Sequence, residues 1–268
     1  MTDQKIRVLI NGAVGKMGRS MSAGILATDD LSLVAAVDIK GIGSDVGLLS
    51  GLEASGLTVT EDLAQTIRQT QPQVMVDFTN PQAILKNLRL ALAAGIACVV
   101  GTSGLGEHEL NEVAALVKAH QAPVFVAPNF ALGAVLMMRF AQEAAHYFPH
   151  LEIIERHHDQ KLDAPSGTAI ATLEMVAQVR KALAQGAAHE FEKISGSRGG
   201  DFQGARVHSI RLPGYIATQE VIFGAPGQTL TIRHDSIDRD CFLPGLLLAI
   251  RKVRSLSGLV VGLEQIID

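Results

Sequence analysis

Residues 155–168, E-R-H-H-D-Q-K-L-D-A-P-S-G-T, gather side chains that move protons beside a backbone that holds anions. Histidine exchanges protons near neutral pH, and lysine does so once its pKa is lowered. His157, His158 and Lys161 read as lying on a turn after a short alternating apolar run, Leu151, Ile153 and Ile154. Ser166 follows Pro165 at the position of a helix N-cap, and a long helical pattern begins around Thr168. The first turn of a helix leaves backbone N–H groups unpaired and carries a partial positive charge. Together these residues describe a site for a carboxylate or phosphate with proton donors at hand.

Taken singly, the same residues have plainer accounts. A His-His pair by itself is more often a solvated surface feature than a catalytic one. D-A-P-S-G-T is also a sufficient turn and cap, with Asp163 bracing it. Adjacent histidines in an extended segment rarely point at one ion. Lys161 adds a like charge and no third ligand stands at metal-site spacing, so no metal is expected.

The elements that position these groups alternate in type. Residues 6–10 form an apolar run without alternation, as expected of a strand buried on both faces. The run breaks at Asn11 and Gly12 and becomes a helical pattern through Met17, Met21 and Ile25. Strand, glycine turn and helix open a nucleotide-binding βαβ unit, here with Gly12, Gly15 and Gly18 spaced G-x-x-G-x-x-G instead of G-x-G-x-x-G. The next strand, 33–37, ends at Asp38, an acid placed to accept from the ribose hydroxyls of a dinucleotide.

After a Gly-rich surface excursion at 41–56, strands at 57–60, 74–78, 96–100 and 124–127 alternate with helices at 61–70, 80–94 and up to about 120. This pattern means a parallel sheet wound on both sides, with ligands at the carboxyl ends of its strands. Helices follow at 132–148 and 168–183, a loop at 185–200, and strands at 206–212, 217–223 and 229–234 joined by turns. These last strands point to an antiparallel sheet. A helix at 243–253 closes the pattern and is expected to pack back on the first domain.

Composition sets the outer limits. The 268 residues, 47% hydrophobic but only 4% aromatic, allow two modest domains or one large one. A net charge of −4 and a pI near 6.1 argue against a nucleic-acid or anionic-membrane partner. Two cysteines cannot staple a fold of this size, and Cys98 sits in the apolar run I-A-C-V-V, which suits a reducing compartment. The N-terminal segment is too short in apolar residues for a signal peptide, and no run is long enough to span a bilayer. A cytoplasmic protein is expected.

The run E-x-H-H-x-x-K-x-D-A-P-S-G-T-A resembles the signature of the dihydrodipicolinate (4-hydroxy-tetrahydrodipicolinate) reductase family of bacterial and plant lysine biosynthesis. Glu155, His157, His158, Lys161, Asp163, Ala164, Pro165, Ser166, Gly167, Thr168 and Ala169 carry the likeness, with Arg156 in a variable place. The first half agrees. The family's G-x-x-G-x-M-G-R stands as Gly12, Gly15, Met17, Gly18 and Arg19, and its D-F-T as Asp77, Phe78 and Thr79. Its G-T-T-G stands as Gly101, Thr102, Ser103 and Gly104, with Ser103 a mild departure, and its A-x-N-F as Ala127, Asn129 and Phe130.

The resemblance implies a Rossmann-type doubly wound parallel sheet with an inserted mixed α/β domain on a largely antiparallel sheet. Residues 1–130 and 237–268 would form the dinucleotide-binding domain, and 131–236 the substrate-binding and oligomerisation domain of a homotetramer. It implies NADH or NADPH as cofactor and reduction of 4-hydroxy-tetrahydrodipicolinate to tetrahydrodipicolinate in diaminopimelate and lysine biosynthesis. His157 and Lys161 would assist protonation, while His158, Ser166, Gly167 and Thr168 would bind the cyclic dicarboxylate. The cofactor would lie on Gly12, Ala13, Val14, Gly15, Lys16, Met17, Asp38, Thr79, Gly101, Thr102, Ser103, Ala127, Pro128, Asn129 and Phe130. The cofactor half alone leaves room for another amino-acid reductase; the H-H-x-x-K and S-G-T run separates them. A nicotinamide-binding regulator without turnover would give His157 and Lys161 no task.

Overall fold

The computed structural model describes residues 5–102 and 104–267. The chain divides into two units, the first running to Phe130 and resuming at Arg239, the second spanning Ala131–Asp238. The second boundary thus falls at Asp238, against 236 from the sequence pattern.

In the first unit, apolar runs become strands covered on both faces. They are β1 (Ile6–Asn11), β2 (Leu31–Val37), β3 (Val59–Thr60), β4 (Val74–Asp77), β5 (Ala97–Val100) and β6 (Val124–Val126). Val8, Leu9, Ile10, Met75, Cys98 and Phe125 have no solvent exposure. Between the strands run α1 (Lys16–Leu26), α2 (Val46–Leu49), α3 (Leu63–Thr70), α4 (Pro81–Ala93) and α5 (Glu107–His120). Side-chain oxygens of Asp45, Asp62 and Asn80 cap α2, α3 and α4, and Pro81 fits the first position of α4 because it lacks the N–H that would go unpaired there.

The second unit contains α6 (Leu132–Ala144), β7 (His150–His157), α7 (Gly167–Ala177), β8 (Gly200–Phe202), β9 (Ala205–Arg211), β10 (Ala217–Ala225) and β11 (Gln228–Ser236). Its five-stranded sheet has the order β11-β10-β7-β9-β8, with β7 and β9 parallel and the other pairs antiparallel. Helices α6 and α7 pack on each other, and α6 lies against β10 and β11. Along β7 the buried positions alternate, Leu151, Ile153, Glu155, so a carboxylate occupies the third core-facing place.

The chain then returns to the first unit through α8 (Leu243–Val253) and β12 (Leu259–Val261). Strand β12 pairs with β6 and completes a seven-stranded sheet, β12-β6-β5-β4-β1-β2-β3, in which every pairing is parallel. Strand order reverses at β1, the topological switch point where doubly wound sheets hold ligands.

Local differences from the sequence pattern have physical causes. The helix expected over 168–183 stops at Ala177, because Arg180 turns into the fold and donates to the carbonyls of Pro149, Gln203 and Leu183. The strand before the His pair runs further than its apolar residues, so His157 ends β7 and is not part of the turn. Strands β8 and β12 are three residues each, too short to show a period.

Gly18 is where α1 meets the loop after β1: a Cβ there would collide with the Gly12 carbonyl oxygen and lie 2.8 Å from Ala13 Cα. The neighbours are backbone and cannot swing aside. Gly18→Ala is expected to cost about 1–3 kcal/mol and lower the thermal midpoint by roughly 3–10 °C in a melting experiment. An unchanged midpoint would show that the loop yields freely.

Candidate active site

The buried acid on β7 organises the chemistry of the second unit. Glu155 has no side-chain exposure and accepts from His157 Nδ1 at 2.5 Å. Arg211, at the end of β9, donates to both of its oxygens at 2.7 and 2.9 Å, a bidentate pair. The backbone N–H of Ser166 adds a contact at 3.2 Å. Burial pushes the Glu155 carboxyl up, but hydrogen bonds from His157, Arg211 and Ser209 outweigh it and hold the pKa at about 2. Because His157 Nδ1–H is committed to this carboxylate, Nε2 is the ring atom left for chemistry.

Arg211 also donates to the Asp163 carbonyl at 2.8 Å, and the Asp163 carboxylate holds Lys161 Nζ at 2.7 and 2.9 Å. The ammonium beside it holds the Asp163 carboxyl below its ordinary value. Lys161, Asp163, Arg211, Glu155, His157 and Ser166 therefore form one connected chain of contacts. His158 is exposed, and its carbonyl accepts from Lys161 N. Ser166 caps α7, its Oγ accepting from Ala169 N at 3.2 Å. That leaves the Ser166 hydroxyl proton and the N–H groups of Gly167 and Thr168 at an open first turn; Gly167 has nothing within 4 Å of where a Cβ would stand.

In the first unit the glycine loop fits a dinucleotide phosphate. Gly12 has φ +82°, and a Cβ on it would meet the Phe78 carbonyl oxygen at 2.7 Å. Gly15 starts α1 without a side-chain cap, so the first-turn N–H groups face outward for an anion, next to Ala13, Val14, Lys16 and Met17. Asp38, at the end of β2, takes Val14 N on one oxygen at 2.9 Å and Lys40 N on the other at 3.0 Å. Each oxygen keeps capacity for a ribose hydroxyl.

At the ends of β4 and β5, Thr79 and Thr102 both hydrogen-bond the buried Asp77. Gly101 packs against the rings of Phe78 and Phe130, whose centroids are 6.1 Å apart. Ala127, Pro128 and Asn129 follow β6. Ser103 lies outside the described residues. Among those described, no group of three or more His, Cys, Asp or Glu is arranged to hold a metal ion, and no helix is long and apolar enough to cross a membrane.

Arg211 escaped the sequence reading. Its signal is faint: a basic residue two places after Ser209 on the face of β9 that Ala205 and Val207 bury. Asp77 lay in view as part of a motif, but its hydrogen bonds from Asn11 and Asn87 did not.

Both units match models of known families. The dihydrodipicolinate reductase N-terminus matches residues 6–130, and the dihydrodipicolinate reductase C-terminus matches 133–267. A 4-hydroxy-tetrahydrodipicolinate reductase from Desulfitobacterium hafniense is 54% identical over 266 residues, covering 99% of this chain and 100% of that protein. One from Moorella thermoacetica is 54% identical over 264 residues, 98% of each. Among solved structures, the dipicolinate-bound dihydrodipicolinate reductase from Paenisporosarcina sp. TG-14 matches with a TM-score of 0.88 at 42% identity, over 98% of this chain and 100% of that one. An amine dehydrogenase from Mycobacterium smegmatis, at 16% identity and a TM-score of 0.67 over 99% and 97% of the two chains, shares the fold alone.

The Glu155 network carries a pH signature. A carboxyl at 4.5 in the unfolded chain and about 2 in the folded one stabilises the fold above pH 4.5 and loses that contribution as pH falls toward 2. The contribution is on the order of 3 kcal/mol at neutral pH. Melting between pH 6 and 2.5 is expected to fall more steeply in the parent than in Glu155→Gln, which is less stable at pH 6 because Arg211 loses its counter-charge. Parallel curves would remove Glu155 from the account of acid stability.

Proposed function

The chain belongs to the dihydrodipicolinate reductase family and is an NAD(P)H-dependent oxidoreductase, and from that premise we propose how its own residues reduce 4-hydroxy-tetrahydrodipicolinate to tetrahydrodipicolinate in diaminopimelate and lysine biosynthesis. The observation that carries the proposal is the Glu155 network, which holds a proton-donating imidazole and an anion-ready helix start on one buried carboxylate.

NADH or NADPH, when bound, supplies the hydride. Gly12, Ala13, Val14, Gly15, Lys16 and Met17 take the pyrophosphate, Asp38 a ribose, and Thr79, Gly101, Thr102, Ser103, Ala127, Pro128, Asn129 and Phe130 the nicotinamide end. In the second unit a substrate carboxylate lies on the first turn of α7, receiving the N–H groups of Gly167 and Thr168 and the hydroxyl proton of Ser166. Ser166 can donate that proton because its oxygen already serves Ala169 N. His158 adds a donor to the same ligand.

His157 and Lys161 supply the proton that must reach the carbon next to the one reduced. Glu155 fixes the imidazole by Nδ1 and leaves Nε2 to act. Lys161 starts in a pair with Asp163, whose side chain is 60% exposed. Such a pair is worth less than about 1 kcal/mol, so the ammonium can exchange it for the substrate's developing charge at little cost. On the same reading the second unit's sheet assembles a homotetramer, and the enzyme works in the cytoplasm.

Two variants test the assignment, each assayed with the cyclic substrate generated in situ. Lys161→Ala is expected to lower turnover roughly 10²–10⁴-fold and to leave the calorimetric affinity for NADH unchanged. Equal losses in both would make Lys161 structural. Both cofactors are expected to support turnover, with NADH at least comparable to NADPH, because Asp38 repels a 2′-phosphate that Lys40, Arg19 or Lys16 offsets. Asp38→Ala should move the kcat/KM ratio toward NADPH by about tenfold, the worth of one lost charge-assisted hydrogen bond and its repulsion. An unmoved ratio would mean that Asp38 does not read the ribose.

A further inference from the structure

Asp77 has no solvent exposure, yet it stands at the carboxyl end of a central strand of an apolar sheet. Burying a carboxylate is costly unless donors surround it. Five hydrogen bonds do so: Asn11 Nδ2 and Asn87 Nδ2 at 2.9 Å on one oxygen, and Thr79 N at 2.9 Å, Thr79 Oγ1 at 2.6 Å and Thr102 Oγ1 at 3.1 Å on the other. None of these donors is cationic.

A neutral amide here would turn its N–H₂ against donors on one side, Asn11 and Asn87 or the Thr79 N–H. Both threonine hydroxyls donate to the carboxyl oxygen of Asp77, and so spend their protons on it. Their lone pairs are then what remains for a ligand. Thr79 Oγ1 also receives Asn87 Nδ2 at 3.3 Å and keeps one lone pair, whereas Thr102 keeps two. The half-buried Thr79 and the nearly buried Thr102 at the ends of β4 and β5 are therefore acceptors, matched to a ligand that donates N–H or O–H. Asp38 marks the adenosine end of a dinucleotide. The donors at the other end are the nicotinamide ribose hydroxyls and the primary carboxamide of the nicotinamide ring, of which the carboxamide alone presents N–H.

We propose that Asp77 is a positioning residue which, by forcing the Thr79 and Thr102 hydroxyls to donate inward, makes the cofactor seat specific for the carboxamide N–H. The proposal rests on the cofactor placement given under the proposed function. Its test is titration calorimetry of NADH against the reduced 3-acetylpyridine analogue, which carries a methyl group where the carboxamide has NH₂. The parent is expected to favour NADH by roughly tenfold, the worth of one such hydrogen bond. In Asp77→Asn, shown folded by its melting curve, a side-chain N–H₂ lets a hydroxyl turn outward, and the preference should fall to within about twofold. The loss should come from weaker NADH binding with the analogue unchanged, since a merely structural defect weakens both alike.

If Asp77→Asn does not fold, the volume-preserving double variant Thr79→Val with Thr102→Val decides, and it must lose the preference. A parent that binds NADH without discriminating, or a folded variant that keeps the full preference, overturns the role of Asp77. A parent that does not bind NADH at all overturns the proposed function and this inference with it.

Discussion

A carboxylate in a core-facing slot of a β-strand is an unstable object until cations and donors surround it, and much of the second unit is arranged around that requirement at Glu155. Leaving one partner of a buried pair uncompensated costs about 3–5 kcal/mol, which is a large share of a typical domain's stability. Arg211 reaches Glu155 only because β7 and β9 are parallel neighbours in a register that sets His157 beside Arg211. The Ser166 N–H reaches it only if the 158–165 segment folds back to the strand end, which ties the start of α7 to β7. Arg211 then holds the Asp163 carbonyl, and Asp163 holds Lys161. One electrostatic demand thereby places the imidazole, the ammonium and the helix start together.

The first unit answers the same kind of demand differently. Asp77 is as buried as Glu155, but its partners are amides, hydroxyls and a backbone N–H. A guanidinium locks a carboxylate by charge and fork geometry, which suits a group that must hold a ring in one orientation. Neutral donors leave the local charge negative and set only the direction of each hydrogen bond. The contrast fits the two proposed tasks: Glu155 would orient a proton donor, whereas Asp77 would set which way two hydroxyls face.

Much of this was legible in the order of residues, for reasons that are local. Unbroken apolar runs between helical periods force a parallel sheet covered on both faces, and the first glycine turn must follow the first such strand. The H-H-x-x-K and S-G-T run marks proton donors near a helix start, and Ser166 does cap α7. What could not be read depends on contacts far apart in the chain. Arg211 is 56 positions from Glu155, and nothing in either neighbourhood announces the register that joins them. The placement of His157 was closer to hand. Leu151, Ile153, Glu155 and His157 share the alternation of one strand, but the charge on Glu155 reads as the end of the apolar pattern when it is the third core position. Strand β12 is invisible for another reason: three residues cannot establish a period, and its place comes from the open edge of β6.

The helix starts differ in how readily they would receive an anion. Asp45, Asp62 and Asn80 cap α2, α3 and α4 with oxygens that consume the first-turn donors, and the two aspartates add negative charge. An anion arriving about 4 Å from such an aspartate would meet a repulsion near 1 kcal/mol in water and near 4 kcal/mol at the effective dielectric of a protein surface. The starts of α1 and α7 avoid this, as do those of α6 and α8. Gly15 offers no side chain at all, so a bulky pyrophosphate can reach the backbone. Ser166 is neutral, and its hydroxyl still has a proton to give after accepting from Ala169, so it caps the helix and leaves a donor for an anion. Substituting Asp for Ser166 would keep the cap and even suit the helix dipole, yet it would place a negative charge at the proposed seat of the substrate carboxylate. On the proposed function, the neutral cap at the start of α7 therefore serves the ligand as well as the helix.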